Sequence, residues 1–148
     1  MPFILAFLWG IVARVRNIRQ FPSALIVAWT DPRFGADRIL LSMQTAWAIW
    51  LINPWVNTFA SAAGYRQMAS LATEMWWGIG LLVLALVHAD SMIHVNWNVR
   101  RTVALLEMGT WVFIGWMFVV SNYASLAVPI YALLAWHYYR IYRAGRRI

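Results

Sequence analysis

Glu107 is a carboxylic acid set inside an otherwise uncharged apolar run, six residues past Arg101. At ~1.5 Å per residue it lies roughly 9 Å deeper along a helix than that arginine. A short acidic side chain cannot reach water from there, and an ionisable group so placed is a functional candidate by default. His88 and His137 fall near the ends of two other apolar runs, at similar or slightly shallower depth. A glutamate and two histidines on three separate runs can pass a proton or an ion, or form a polar constriction. They can equally act as hydrogen-bonded glue between helices, at ~1 kcal/mol per contact. A protonated glutamic acid lowers the cost of burial in either case.

The same residues allow two further chemistries. Asp90 and His94 are four apart on one helical face, and with His88 across the turn they are weak candidates for a metal site. His88 and His137 on separate runs also suit bis-histidyl ligation of haem b, so a haem-binding redox subunit is an alternative to the expectation of no cofactor. Glu74, eight residues after Arg66, is expected to pair with it near the opposite headgroup layer. The chain has no cysteine, which excludes disulfides, thiolate catalysis, iron–sulfur clusters and cysteine-built zinc sites. Serines such as Ser91 form no nucleophile motif and no glycine-rich phosphate loop is present, so the expectation is not an enzyme.

These residues must be positioned by membrane elements. The 148 residues are 63% hydrophobic and only 11% charged, more apolar surface than a soluble domain of this size could hide. Four nearly uncharged stretches, 39–65, 75–89, 102–120 and 124–139, each read as a crossing. The fold expected is all-α: a polytopic four-helix membrane bundle over 39–142, with a basic tail at 143–148. Residues 1–38 form a cytoplasmic or interfacial amphipathic segment of one or two short helices, because the apolar run 3–13 covers only ~17 Å. Pro54 predicts a kink within the first span, freeing the carbonyl of Trp50. Residues 108–139 are too long for one crossing and split at Ser121-Asn122-Tyr123 into a hairpin. The start, Met1-Pro2-Phe3-Ile4-Leu5, lacks a basic n-region and is read as mature.

All twelve basic residues are arginine, and eleven fall on one side of this arrangement, Arg66 being the exception. The positive-inside rule then puts both termini in the cytoplasm, across an inner membrane. Arg14, Arg16, Arg19, Arg100, Arg101, Arg140, Arg143, Arg146 and Arg147 are expected to face anionic lipid headgroups or a docked partner. They border apolar spans, so lipid rather than nucleic acid is the anionic partner. Trp47, Trp50 and Trp111 fall deep, where an indole N–H wants a partner, so they are expected to face other helices or another subunit. The small-residue patch Ala60-Ser61-Ala62-Ala63-Gly64 suits close helix contact within or between chains.

With no soluble catalytic domain, the function expected is a homo-oligomeric pore or membrane-embedded assembly. In size, span number and basic tail the layout resembles that of phage holins, although common holins have fewer spans. The same layout is similar to small accessory or anchor subunits of membrane complexes, which is the alternative reading. No motif carries either resemblance.

Overall fold

The computed structural model describes residues 21–61, 63–93, 97–121 and 126–144, and among them the chain is helical with no strand. The first described helix, α1 (Phe21–Thr30), runs into Asp31, whose carboxylate accepts from the Arg33 backbone N–H at 2.9 Å and from its guanidinium at 2.6 Å. The Phe34 N–H donates to the Asp31 carbonyl, closing one 3-10 turn over Pro32–Phe34. The Arg38 guanidinium donates back to the Trp29 carbonyl, one of the acceptors that a helix end leaves unpaired.

Helix α2 (Gly35–Ile52) buries Asp37, Leu40, Leu41, Gln44, Ala48 and Leu51, a single stripe at three- and four-residue spacing. It stops at Ile52, so the kinked crossing expected over 39–65 is replaced by a helix end. Pro54 disfavours helical backbone at Asn53, which turns extended (φ −66°, ψ 116°). The Asn53 N–H takes the carbonyls of Ile49 and Trp50 at 3.1 and 3.2 Å, so the Trp50 acceptor is not left free. Short pieces follow: α3 (Thr58–Ser61), a 3-10 turn at Ala63–Tyr65, and α4 (Arg66–Leu71).

Three long helices complete the described residues: α5 (Glu74–Ile93), α6 (Trp97–Ser121) and α7 (Ala127–Ala144). Pro129 sits in the first turn of α7, where its missing N–H costs no helical bond. Two of these helices, α5 and α6, are long and apolar enough to cross a membrane. The most extensive pairings are α6 with α7 and α2 with α5. The α2–α5 contact is close because Gly78 has no side chain: a Cβ there would lie 2.6 Å from Ile52 Cγ1 and 2.8 Å from the Ala48 carbonyl oxygen. Gly64 serves packing within the chain, since a Cβ on it would meet the Phe118 ring at 2.7 Å.

Aromatic rings fill the middle of the bundle. Trp47 stacks on Trp111 at 5.3 Å between centroids, and Tyr131 lies 5.7 Å from both. Phe118 continues the layer at 5.1 Å from Tyr131. Trp50 points outward instead, its indole N–H satisfied by the Thr58 hydroxyl at 3.0 Å.

Candidate functional site

Among the described residues, four acidic or basic side chains are almost fully removed from the surface: His88 and Glu107 at 0% exposure, Asp37 at 1% and Arg100 at 6%. Burial of this kind is costly unless each group is paired. Their placement follows from helix periodicity. Asp37 and Gln44 are seven apart on α2, and Arg100 and Glu107 are seven apart on α6, so each pair lies on one helical face. His88 of α5 enters between them.

The His88 ring joins the two layers. Its Nδ1 lies 2.8 Å from Glu107 Oε2 and its Nε2 lies 3.0 Å from Asp37 Oδ1. Arg100 grips Asp37 with both prongs, Nε to Oδ1 at 2.9 Å and Nη2 to Oδ2 at 2.6 Å, the bidentate geometry of the strongest ion pairs. The Trp97 and Phe34 rings flank the guanidinium at 4.7 and 5.0 Å, favourable cation–π distances. The buried Asp37 carboxyl thus accepts from Arg100 at both oxygens and has the His88 ring nitrogen on Oδ1 as well.

Deeper in the bundle the polar chain ends. The Tyr138 hydroxyl donates to Gln44 Oε1 at 2.9 Å, and Gln44 Nε2 donates to the Leu81 carbonyl at 3.0 Å. Gln44 lies beside Glu107, yet Glu107 Oε1 is buried without a donor in hydrogen-bonding geometry among the described residues. Trp111 Nε1 likewise lies near the Tyr138 hydroxyl without forming a well-directed bond. Ser91 spends its hydroxyl on the His88 carbonyl at 2.7 Å, so it is no nucleophile for the ring.

The structure thus brings together Glu107 and His88, as their shared depth suggested. It does not bring His137 to them: that ring is half-buried on α7 and makes no hydrogen bond or ion pair among the described residues, and Tyr138, one position on, faces the cluster instead. Arg100 is not a headgroup or docking arginine, because Asp37 and two aromatic rings enclose it. Arg101 is half-buried with its guanidinium over the Tyr142 ring at 5.1 Å. Arg140 and Arg143 are on the surface, the latter donating to the Tyr139 hydroxyl at 3.1 Å. Arg66 and Glu74 form no ion pair: Glu74 Oε1 accepts the Thr58 backbone N–H at 2.8 Å, and Arg66 is exposed. Arg14, Arg16, Arg19, Arg146, Arg147 and His94 lie outside the described residues.

Neither metal nor haem suits His88 in this arrangement. Both ring nitrogens face carboxyl oxygens, which leaves no nitrogen lone pair for an ion. Among the described residues no group of three or more histidine or acidic side chains converges as a metal site. Asp90, two positions from His88, points about 200° around the helix from it.

Asp37 and Gln44 are the site residues that sequence reasoning missed. The signal was the 37, 44, 51 spacing, which sets two polar side chains on the stripe that ends in Leu51. Comparison of the chain with protein-family models, with curated proteins and with solved structures gives no match.

Proposed function

We propose that this chain is a multi-pass membrane protein that works as a homo-oligomeric assembly in the bilayer, conducting, where it conducts, between its copies. The observation that carries this reading is inverted polarity. Asp37, Gln44, His88, Arg100 and Glu107 are buried, while Ile39, Ile49, Leu86, Leu106, Val112, Trp116 and Leu133 are exposed on four different helices. Water would favour the opposite arrangement, and a bilayer favours this one.

In this reading α2, α5, α6 and α7 all cross. At ~1.5 Å per residue their 18, 20, 25 and 18 residues give about 27 to 38 Å, against ~30 Å of hydrocarbon. The eleven-to-one arginine split supports cytoplasmic termini. Trp47, Trp111, Tyr131 and Phe118 fill the bundle, so a water path through one copy has no room at that layer. That favours conduction along surfaces where copies meet. The exposed arginines of that face, such as Arg140 and Arg143, suit anionic headgroups, with lipid as the constant partner.

Native mass measurement of the protein in lipid nanodiscs tests the assembly, and ion flux from loaded vesicles tests conduction. Discrete multimers with flux are expected. A strictly monomeric, silent protein would sink the proposal and favour an anchor subunit of a larger complex.

A further inference from the structure

His88 has a carboxyl oxygen at hydrogen-bonding distance from each ring nitrogen, and that geometry fixes a proton count. A contact between a ring nitrogen and a carboxyl oxygen is a hydrogen bond only if one proton lies in it. Two such contacts therefore need two protons among Asp37, His88 and Glu107. With one proton, a bare nitrogen lone pair would face a carboxylate at 3.0 Å or less. With three, the third would sit on a carboxyl oxygen outside both contacts, at the expense of the Arg100 fork or on the donorless side of Glu107.

We infer that Asp37, His88 and Glu107 form a buried proton-binding site holding two shared protons, so that with Arg100 the unit carries no net charge. Two arrangements satisfy this count. In one the ring is an imidazolium between two carboxylates. In the other the Nδ1–H bond has broken, an O–H bond has formed on Glu107 Oε2, and the ring is neutral. Each sums to −1, and the Arg100 guanidinium supplies +1. The proton can shift between these arrangements without changing the total charge, the condition a low-dielectric interior demands of a titratable cluster.

Among the described residues no other charged side chain contacts the three. From α2 the remaining neighbour is Gln44, from α5 the Ser91 hydroxyl, and from α7 Tyr138, all neutral. On α6 the Arg101 guanidinium is turned to Tyr142. The site also has a direction. Arg100 is its most exposed member, whereas Trp111, one turn beyond Glu107, belongs to the aromatic layer that closes the far end. Protons enter and leave past Arg100, and this one-sidedness, unlike the count, rests on the membrane reading.

The count is measurable in the intact protein carrying His94→Gln and His137→Gln, which leave His88 as the sole histidine. Nitrogen NMR of the ring tells imidazolium from neutral imidazole. Infrared spectroscopy shows a carboxylic acid band, assigned to the site only if Glu107→Gln or Asp37→Asn removes it. At neutral pH the expected result is an imidazolium with no such band, or a neutral ring with one. A neutral ring without the band, or an imidazolium with it, would overturn the inference. Arg100→Gln should raise the count by one proton and Arg100→Lys should leave it unchanged. An unaltered count in a folded Arg100→Gln protein would show that neutrality does not govern the site. Should that variant not fold, the parent count and the lysine variant decide. For the entry route, an inward and an outward pH jump on oriented vesicles should differ in the rate at which the band responds, and equal rates would remove the one-sidedness while leaving the count standing.

Discussion

Arg100 and Asp37, 63 residues apart in the chain, meet through two parallel hydrogen bonds of 2.9 and 2.6 Å in a setting almost closed to solvent. The pair ties the first turn of α2 to the first turn of α6. Removing one partner would leave the other charge buried and unanswered. Asp37→Leu and Arg100→Leu should each lower stability by about 3–5 kcal/mol, the range for broken buried pairs. The double variant should cost less than the sum, by about 0.5–3 kcal/mol. Unfolding in detergent measures all three, and strict additivity would mean the two side chains do not interact.

Two glycines on α5 should respond oppositely to one methyl group. Gly78→Ala drives a Cβ into backbone and side-chain atoms of α2 and should lower stability by about 1–3 kcal/mol. At Gly80 nothing lies within 4 Å, so Gly80→Ala should leave the melting temperature unchanged or raise it slightly, alanine being favoured in helices by ~1 kcal/mol. Equal effects at both positions would contradict the α2–α5 packing.

Topology can be read by thiol labelling, because the native chain has no cysteine to interfere. A cysteine at Tyr65 should react with an impermeant reagent in intact cells, and one at Arg143 only after permeabilisation. Labelling of both from outside would mean an even number of crossings between them, not the three proposed.

Glu107→Leu should lower thermal stability, since it strips His88 of one acceptor inside the bundle. Glu107→Gln should fall between leucine and the parent: an amide oxygen can still accept the ring N–H, but the negative charge is gone. If glutamine proves silent in the unfolding midpoint, the carboxylate charge contributes nothing to holding α5 on α6.

The helices over 74–93 and 97–121 were legible because the nearly uncharged runs at 75–89 and 102–120 admit few other readings. The Glu107–His88 meeting was legible from depth alone. Asp37 was not, because it sits between Arg33 and Arg38 just after turn-forming residues, where an acid resembles ordinary surface. Nor was Arg100, since an Arg-Arg pair beside an apolar run reads as a headgroup contact until a partner 63 residues away is known. His137 and Tyr138 differ by a 100° turn of one helix, and only packing against α2 decides which faces inward. At Pro54 the sequence signal was present, but a proline can kink one helix or end another, and here the helix ends with Asn53 extended.

The order in which the buried partners leave the ribosome has a consequence for biogenesis. Helix α2 emerges carrying Asp37 and Gln44, while His88, Arg100 and Tyr138 follow their partners by 51, 63 and 94 residues. On the proposed membrane reading, α2 until then carries two uncompensated buried-face polar groups, which makes it a poor candidate for release into lipid. Its final docking must therefore wait for α5 and α6, and nascent chains stalled before Arg100 should hold α2 at the insertion machinery or at the water interface.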